Sequence, residues 1–296
     1  MSRSTTIRVA GLWGLLLTCG LGAVGPAGAR TSTDSLGTGP ADADGVWSTM
    51  QPAGPIPSDR QQQGAIYDPV GNRMILFGGA EYLDDTWSLT LGSAPQWVPL
   101  APDGSPSGRK AMAMTYDPLR HRLIMFGGYD GSYQNDVWTL SLDGDPVWTR
   151  LNPTGTRPSG RMFTVAAYDP IADRLIVFGG HPIELNDTWE LSLAGTPAWK
   201  QLSPSGPLPS PRYGHVGIFD PVGDRLVIFG GTNGGNEAWA LELSGAPTWK
   251  RLALSGPQPA PRFYASAVYD SRRQRMVVLG GYGVAARSPR PSTTPR

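Results

Sequence analysis

Side chains able to do chemistry are few and scattered in this chain. It carries three histidines, His121, His181 and His215, and one cysteine, Cys19. A metal site needs several such ligands converging with acids, and nothing in their spacing suggests convergence, so neither a metal nor a cofactor is expected. Cys19 lies in an apolar stretch near the N-terminus, which leaves the remaining chain without disulfide or thiol chemistry. Gly20-x-Gly22-x-x-Gly25 has a dinucleotide-binding spacing, yet it sits in that same stretch and precedes no strand-helix unit. No catalytic residue is assigned.

Arginines are the next candidates. Arg60, Arg109, Arg161, Arg212 and Arg262 each precede an aromatic by 7 residues, an aspartate by 8, a second arginine by 13 and a Gly-Gly pair by 18. Five cations around a channel could hold an anion. A residue present in every unit is there first to build the unit, however, and a long guanidinium can tie a loop to carbonyls or to an acid such as Asp85 or Asp136. Unrepeated residues following the glycine pairs are better binding candidates: Glu81, Tyr82, Tyr129, Asp130, Tyr133, His181, Glu184, Asn233 and Tyr282. Aromatic and hydrogen-bonding groups on loops suit recognition of a protein or a sugar.

The elements that must position these residues repeat with steps of 49, 52, 51 and 50 residues. Within each unit, a short first strand runs from the arginine to the aspartate, as in Arg212 to Asp220. A turn follows, opening Asp-Pro in four of the five units, where proline presets its dihedral and aspartate bonds nearby amides. The second strand reads Arg73-Met-Ile-Leu-Phe-Gly-Gly and its equivalents from Arg122, Arg174, Arg225 and Arg275. Four consecutive apolar residues mark a strand covered on both faces. A third strand carries Trp87, Trp138, Trp189 and Trp239, each two residues after an acid, and a fourth begins at a tryptophan ten residues later. Buried indoles remove roughly 150–250 Å² each from water and would form the core.

This combination of Gly-Gly, acid-x-Trp and a second tryptophan in a period near 50 residues resembles the kelch motif of β-propellers. The resemblance implies an all-β propeller of four-stranded antiparallel blades, four complete and a fifth composite or incomplete. Trp47 stands 13 residues before Arg60, as a fourth-strand tryptophan would, but no acid-x-Trp follows Gly281; Tyr282–Ala286 is the available substitute for a third strand. Loop lengths place diversity on one face. From the second glycine to the next tryptophan the units differ, at 8, 10, 9 and 8 residues, while the loops leading back to the arginines hardly vary.

Residues 1–29 read as a signal peptide, with Arg3 and Arg8 before an apolar run and Ala27-Gly28-Ala29 as a cleavage site. Residues 30–45 read as a flexible N-terminal segment, 46–286 as the propeller and 287–296 as a disordered tail rich in Pro, Ser, Thr and Arg. The mature chain is expected to be secreted or periplasmic and to lack a membrane span. Lipid attachment at Cys19 is the weaker alternative, because Thr18 is an awkward preceding residue. Losing the two leader arginines takes the formal charge from +1 to about −1, which offers no surface for nucleic acid. The resemblance implies a binding module, most often for proteins; the chain is expected to be a monomer, with an unknown protein or glycan as partner on the variable-loop face. The alternatives are a carbohydrate-active propeller of the sugar-mutarotase kind, needing an acid, an arginine and a pocket, and a truncated inactive copy. Galactose oxidase chemistry requires a cysteine that the mature chain lacks.

Overall fold

The computed structural model describes residues 49–283. The leader, Cys19, Trp47, the segment 30–45 and the tail from 284 onward lie outside the described residues. Eighteen strands and one turn of 3-10 helix (Ala80–Tyr82) make up the regular structure, with no α-helix among the described residues.

Four sheets are complete blades. The first holds β1 (Gly64–Asp68), β2 (Arg73–Phe77), β3 (Thr86–Thr90) and β4 (Trp97–Leu100), and the second β5 (Ala113–Asp117), β6 (Arg122–Phe126), β7 (Val137–Ser141) and β8 (Trp148–Leu151). The third holds β9 (Val165–Asp169), β10 (Arg174–Gly180), β11 (Leu185–Ser192) and β12 (Ala198–Leu202), and the fourth β13 (Val216–Asp220), β14 (Arg225–Phe229), β15 (Ala238–Glu242) and β16 (Thr248–Arg251). Among the described residues the fifth holds β17 (Arg262–Asp270) and β18 (Arg275–Gly283). All pairs are antiparallel, and the first strands neighbour one another in the order β1, β5, β9, β13, β17, so they form the inner wall of a propeller.

Two details depart from expectation. In the four complete blades the first strand starts four residues after the arginine, because the residue two after it takes a left-handed backbone. In the fifth blade Tyr282 does not open a third strand: β18 runs through it to Gly283, pairing Phe263 with Tyr282.

The repeated residues form one relay in each of the four complete blades. Arg161 donates from Nη1 and Nη2 to the two carboxylate oxygens of Asp187 at 2.7 and 2.9 Å, and from Nη1 to the Gly179 carbonyl at 3.0 Å. Trp189 lies two residues on, on the same strand face, and its indole N–H donates to that carboxylate at 2.6 Å. Arg60, Asp85 and Trp87 repeat the arrangement, as do Arg109, Asp136 and Trp138, and, more loosely, Arg212, Glu237 and Trp239. Such bidentate, charge-assisted bonds satisfy guanidinium groups that are otherwise cut off from water.

Second arginines close the other end of each blade. Arg122 donates to Asp117 at 2.8 Å, while the same carboxylate accepts the N–H groups of Leu119 and Arg120 and so caps the turn. Between blades, three of the fourth-strand tryptophans pack on the phenylalanine ending the previous blade's second strand: Trp148 on Phe77 at 5.1 Å, Trp199 on Phe126 at 5.4 Å and Trp249 on Phe178 at 4.8 Å between ring centroids. The glycine pair makes the joint possible. The first glycine lies against the next blade's arginine carbonyl, and the second donates its N–H to it, as Gly128 does to Arg161 at 2.9 Å.

Candidate functional site

The loop face is organised around the residue two positions after each first arginine. Gln62, Ala111, Phe163 and Tyr264 have φ of 61, 55, 54 and 56°, and Gly214, their equivalent, has 64°. Holding bulky side chains there costs about 1–2 kcal/mol each. Backbone bonds between blades hold them in place. Ala111 N–H donates to Gln62 C=O at 2.7 Å, Phe163 to Ala111 at 2.9 Å, Gly214 to Phe163 at 3.0 Å and Tyr264 to Gly214 at 2.7 Å. This belt links all five blades at the channel mouth.

Above and beside the belt runs a continuous arc of aromatic rings. Tyr82 lies 6.1 Å from Tyr129, Tyr129 5.0 Å from Tyr133, Tyr133 5.7 Å from His181, and His181 4.8 Å from Tyr213. Phe163 bridges Tyr213 and Tyr264 at 6.1 and 4.6 Å; Phe263 then joins Tyr264 to Tyr282 at 4.7 and 5.4 Å. Tilted and edge-on geometries such as these stabilise ring pairs by about 0.5–1.5 kcal/mol beyond simple burial. Lys110 sets its ammonium 5.4 Å from the Tyr82 ring and 5.8 Å from that of Tyr129, a cation–π contact at the start of the arc. Tyr82, Tyr133 and Tyr282 remain exposed.

Five of the residues singled out in the sequence thus come together: Tyr82, Tyr129, Tyr133, His181 and Tyr282. Two others hold loops in shape. Asp130 accepts bonds from Ser107, Ser132 and Gln134; burial pushes its carboxyl up, but the bonds from Ser107 and Gln134 outweigh it and leave the pKa lowered. Asn233 has φ of 56° and donates to the Pro211 carbonyl at 3.3 Å. Glu81 and Glu184 are exposed and stay apart from the arc. Neither they nor Asp130 meet a first arginine, whose guanidinium groups are committed within their own blades.

Phe163, Tyr213, Phe263, Tyr264 and Lys110 escape a reading that looks only after the glycine pairs. They stand one or two residues after the first arginines, where the units differ most within an otherwise uniform loop. That local variability is the signal for them.

Beneath the belt lies a cavity of about 560 Å³ walled by small and apolar residues of all five first strands, among them Ala65, Met114, Ala166, Gly217 and Ala267. Among the described residues no His, Cys, Asp or Glu cluster could hold a metal ion, and no helix is long and apolar enough to cross a membrane. His215 is buried outside this wall with its ring edge-on to Phe178 at 5.4 Å; burial, then the Arg212 cation, push its pKa down to about 3 and keep it neutral. On the opposite face, His121 bridges Asp143 and the buried Asp68 of the neighbouring blade, and those two bonds raise its pKa.

The family described as the KLHDC2/KLHL20/DRC7 Kelch-repeats domain matches residues 42–196 and 171–290. Adagio-like protein 3 of Oryza sativa subsp. japonica is 32% identical over 173 residues, 55% of this chain and 27% of that protein. Kelch domain-containing protein 3 and Rab9 effector protein with kelch motifs, both of Bos taurus, are each 28% identical over 63% and 64% of this chain, and 51% and 54% of their own lengths. The chain therefore spans about half, or less, of these relatives. Among solved structures, YjhT superposes with a TM-score of 0.53 at 17% identity, covering 73% of this chain and 71% of its own. A fungal alcohol oxidase in complex with copper gives 0.51 at 16%, covering 77% and 55%. At such identities these two speak for the fold alone.

Proposed function

The chain belongs to the kelch-repeat family, and on that premise we propose that it is a binding module whose partner, a protein, docks on the loop face across the aromatic arc. One observation carries this reading: rings from all five blades, separated by up to 200 residues in sequence between Tyr82 and Tyr282, meet in one continuous surface. Clustered aromatic anchors with a cation at the edge are the composition that dominates binding energy at protein interfaces. The relatives' printed names point the same way, since one is a Rab9 effector with kelch motifs.

A glycan is the second reading, favoured by the exposed tyrosines, whose flat faces can stack on sugar rings. The sugar-mutarotase alternative has less support, because the first arginines are committed to the repeat acids such as Asp85 and Asp136, while Glu81, Asp130 and Glu184 make no bond to them. We propose further that the protein works as a monomer outside the cytoplasm, after removal of residues 1–29, on the strength of the leader's residue pattern.

An array of secreted proteins and glycans probed with the chain beginning at Arg30 tests the reading. Binding to a protein that weakens at least tenfold in Tyr133→Ala and in Lys110→Ala supports it. Ligands retained equally by both variants would move the binding site elsewhere, and sugar epimerisation abolished by Glu184→Gln would replace the module with an enzyme.

A further inference from the structure

On the face opposite the arc, the turn between the first two strands of each blade lies beside that of the next. At three of these four seams a donor on one side bonds a carboxylate on the other. Between the first and second blades, His121 bonds the buried Asp68. Between the second and third, Arg120 donates from Nη1 and Nη2 to the two carboxylate oxygens of Asp173 at 2.8 and 2.6 Å, and from Nη1 to Asp117 at 3.3 Å. Its Nη2 also donates to the Leu193 carbonyl at 3.0 Å, and the Tyr168 hydroxyl to Asp173 at 2.7 Å. Between the fourth and fifth, the Tyr269 hydroxyl donates to Asp220 at 3.2 Å.

The seam between the third and fourth blades keeps this frame and loses the donors. Asp224 stands where Asp173 does one blade earlier, with φ of 45° against 50°. Its carbonyl accepts the Leu243 N–H as that of Asp173 accepts the Leu193 N–H, each at 2.9 Å. Ala172 stands in the place of Arg120, however, and Phe219 in that of Tyr168. Asp224 Oδ1 is buried with no hydrogen-bond partner among the described residues. The Arg174 guanidinium does not bond it, being committed to Asp169 at 2.8 Å and Glu190 at 2.9 Å. Burial pushes the Asp224 carboxyl up, as do the Asp169 and Glu242 carboxylates, and Arg174 offsets this only in part. A carboxylate left this way is costly until a cation meets it. All the residues compared lie in the second to fourth blades, whereas Gly283, where the described residues stop, pairs with Arg262 at the loop-face end of the fifth.

We propose that this seam is a binding site for a guanidinium cation, held as the Arg120 side chain is held one seam earlier. Two of its N–H groups meet the Asp224 carboxylate, one meets the Leu243 carbonyl, and one points toward Asp169. The planar fork of a guanidinium matches two carboxylate oxygens and a carbonyl together, which a compact ammonium does not. The guanidinium belongs either to an arginine side chain of a peptide or to a free small molecule, and the two share this chemistry.

Ethylguanidinium and the capped tripeptide Gly-Arg-Gly are the probes, titrated into the full chain and followed by calorimetry. Saturable binding is expected, weakened at least tenfold by Asp224→Asn and by Ala172→Arg. The second variant supplies the guanidinium from within, copying Arg120, and should raise the melting temperature, which also shows that it folds. Ethylammonium should bind at least tenfold more weakly than ethylguanidinium, and Tyr133→Ala on the loop face should change nothing. Tighter binding of the tripeptide supports the site with a peptide arginine as its ligand; equal binding supports it with a free guanidinium compound. No binding of either probe, equal affinity of the parent and Ala172→Arg chains, or equal affinity for ethylammonium overturns the proposal. So would a tenfold gain when Arg287, Arg290 and Arg296 are all changed to alanine, since the chain's own arginines would then be the occupants.

Discussion

The backbone carbonyl of Arg161 stands 2.7 Å from where a Cβ on Gly127 would be, although the two residues belong to different blades. Glycine is required at this joint for two reasons, a φ of 67° and the approach of the neighbouring sheet. The same contact recurs for Gly78, Gly179 and Gly230, whereas at Gly280 no atom of the described residues lies within 4 Å of the added carbon.

That contrast separates backbone strain from steric exclusion. Gly127→Ala and Gly280→Ala both carry the left-handed penalty of about 1–2 kcal/mol, but only the first also drives a methyl into a carbonyl. Chemical denaturation should show Gly127→Ala destabilised by about 2 kcal/mol or more beyond Gly280→Ala. Equal losses would mean that the blades are not packed at this joint as described.

The first arginines allow a similar comparison. Removing Arg161 leaves the Asp187 carboxylate half enclosed with only the Trp189 indole to bond. Burial pushes that carboxyl up, and the hydrogen bonds from Arg161 and Trp189 bring it net below its usual range. Arg161→Met should therefore cost about 3–5 kcal/mol, as for other broken buried pairs. Arg262→Met, whose guanidinium meets no carboxylate among the described residues, should cost about 1 kcal/mol or less. Denaturant midpoints with unchanged m-values are the measurement.

His215 makes the fold sensitive to acid. Its pKa is about 3 when folded and 6.5 when free, so the unfolded chain takes up a proton that the folded chain refuses. The stability it permits is complete above about pH 6.5 and falls by roughly 1.4 kcal/mol per pH unit below that, down to the folded value. His215→Met, which copies Met112 at the equivalent position of the second blade, should flatten the melting temperature between pH 6 and pH 4. A slope unchanged from the parent would show that another group governs acid unfolding.

His121 acts in the opposite sense. Its bonds to Asp143, then to Asp68, raise its pKa, so its contribution is fully present below pH 6.5 and is lost as the pH rises through the folded value. Asp68 is the buried anchor: burial raises its carboxyl, but bonds from the Gly71 amide, His121 and Arg73 outweigh that and leave it lowered. Asp143 is exposed, so the bridge stabilises on the order of 1 kcal/mol. His121→Asn, the residue type found at Asn72 in the first blade, should remove the loss of melting temperature expected of the parent between pH 6 and pH 9. A parent protein whose stability is flat over that range would contradict the bridge.

The letters of the chain were enough to determine what one unit does by itself. Strand order, the Asp-Pro turn, the apolar second strand before Gly-Gly and the acid-x-Trp strand are local patterns. Each is written five or four times, and repetition separates scaffold from variation. Only the tertiary structure decided how the units meet. That the indole of Trp189 shares the Asp187 carboxylate with Arg161 depends on a hydrogen-bonded sheet that brings together residues 26 apart. That Tyr82, Tyr133, His181 and Tyr264 join one arc depends on the rotation from each blade to the next, set by tryptophans packing on a neighbour's phenylalanine. Tyr282 belongs to the same class: it looks like a loop residue in sequence, and becomes part of a strand by pairing with Phe263, nineteen residues earlier, in β17.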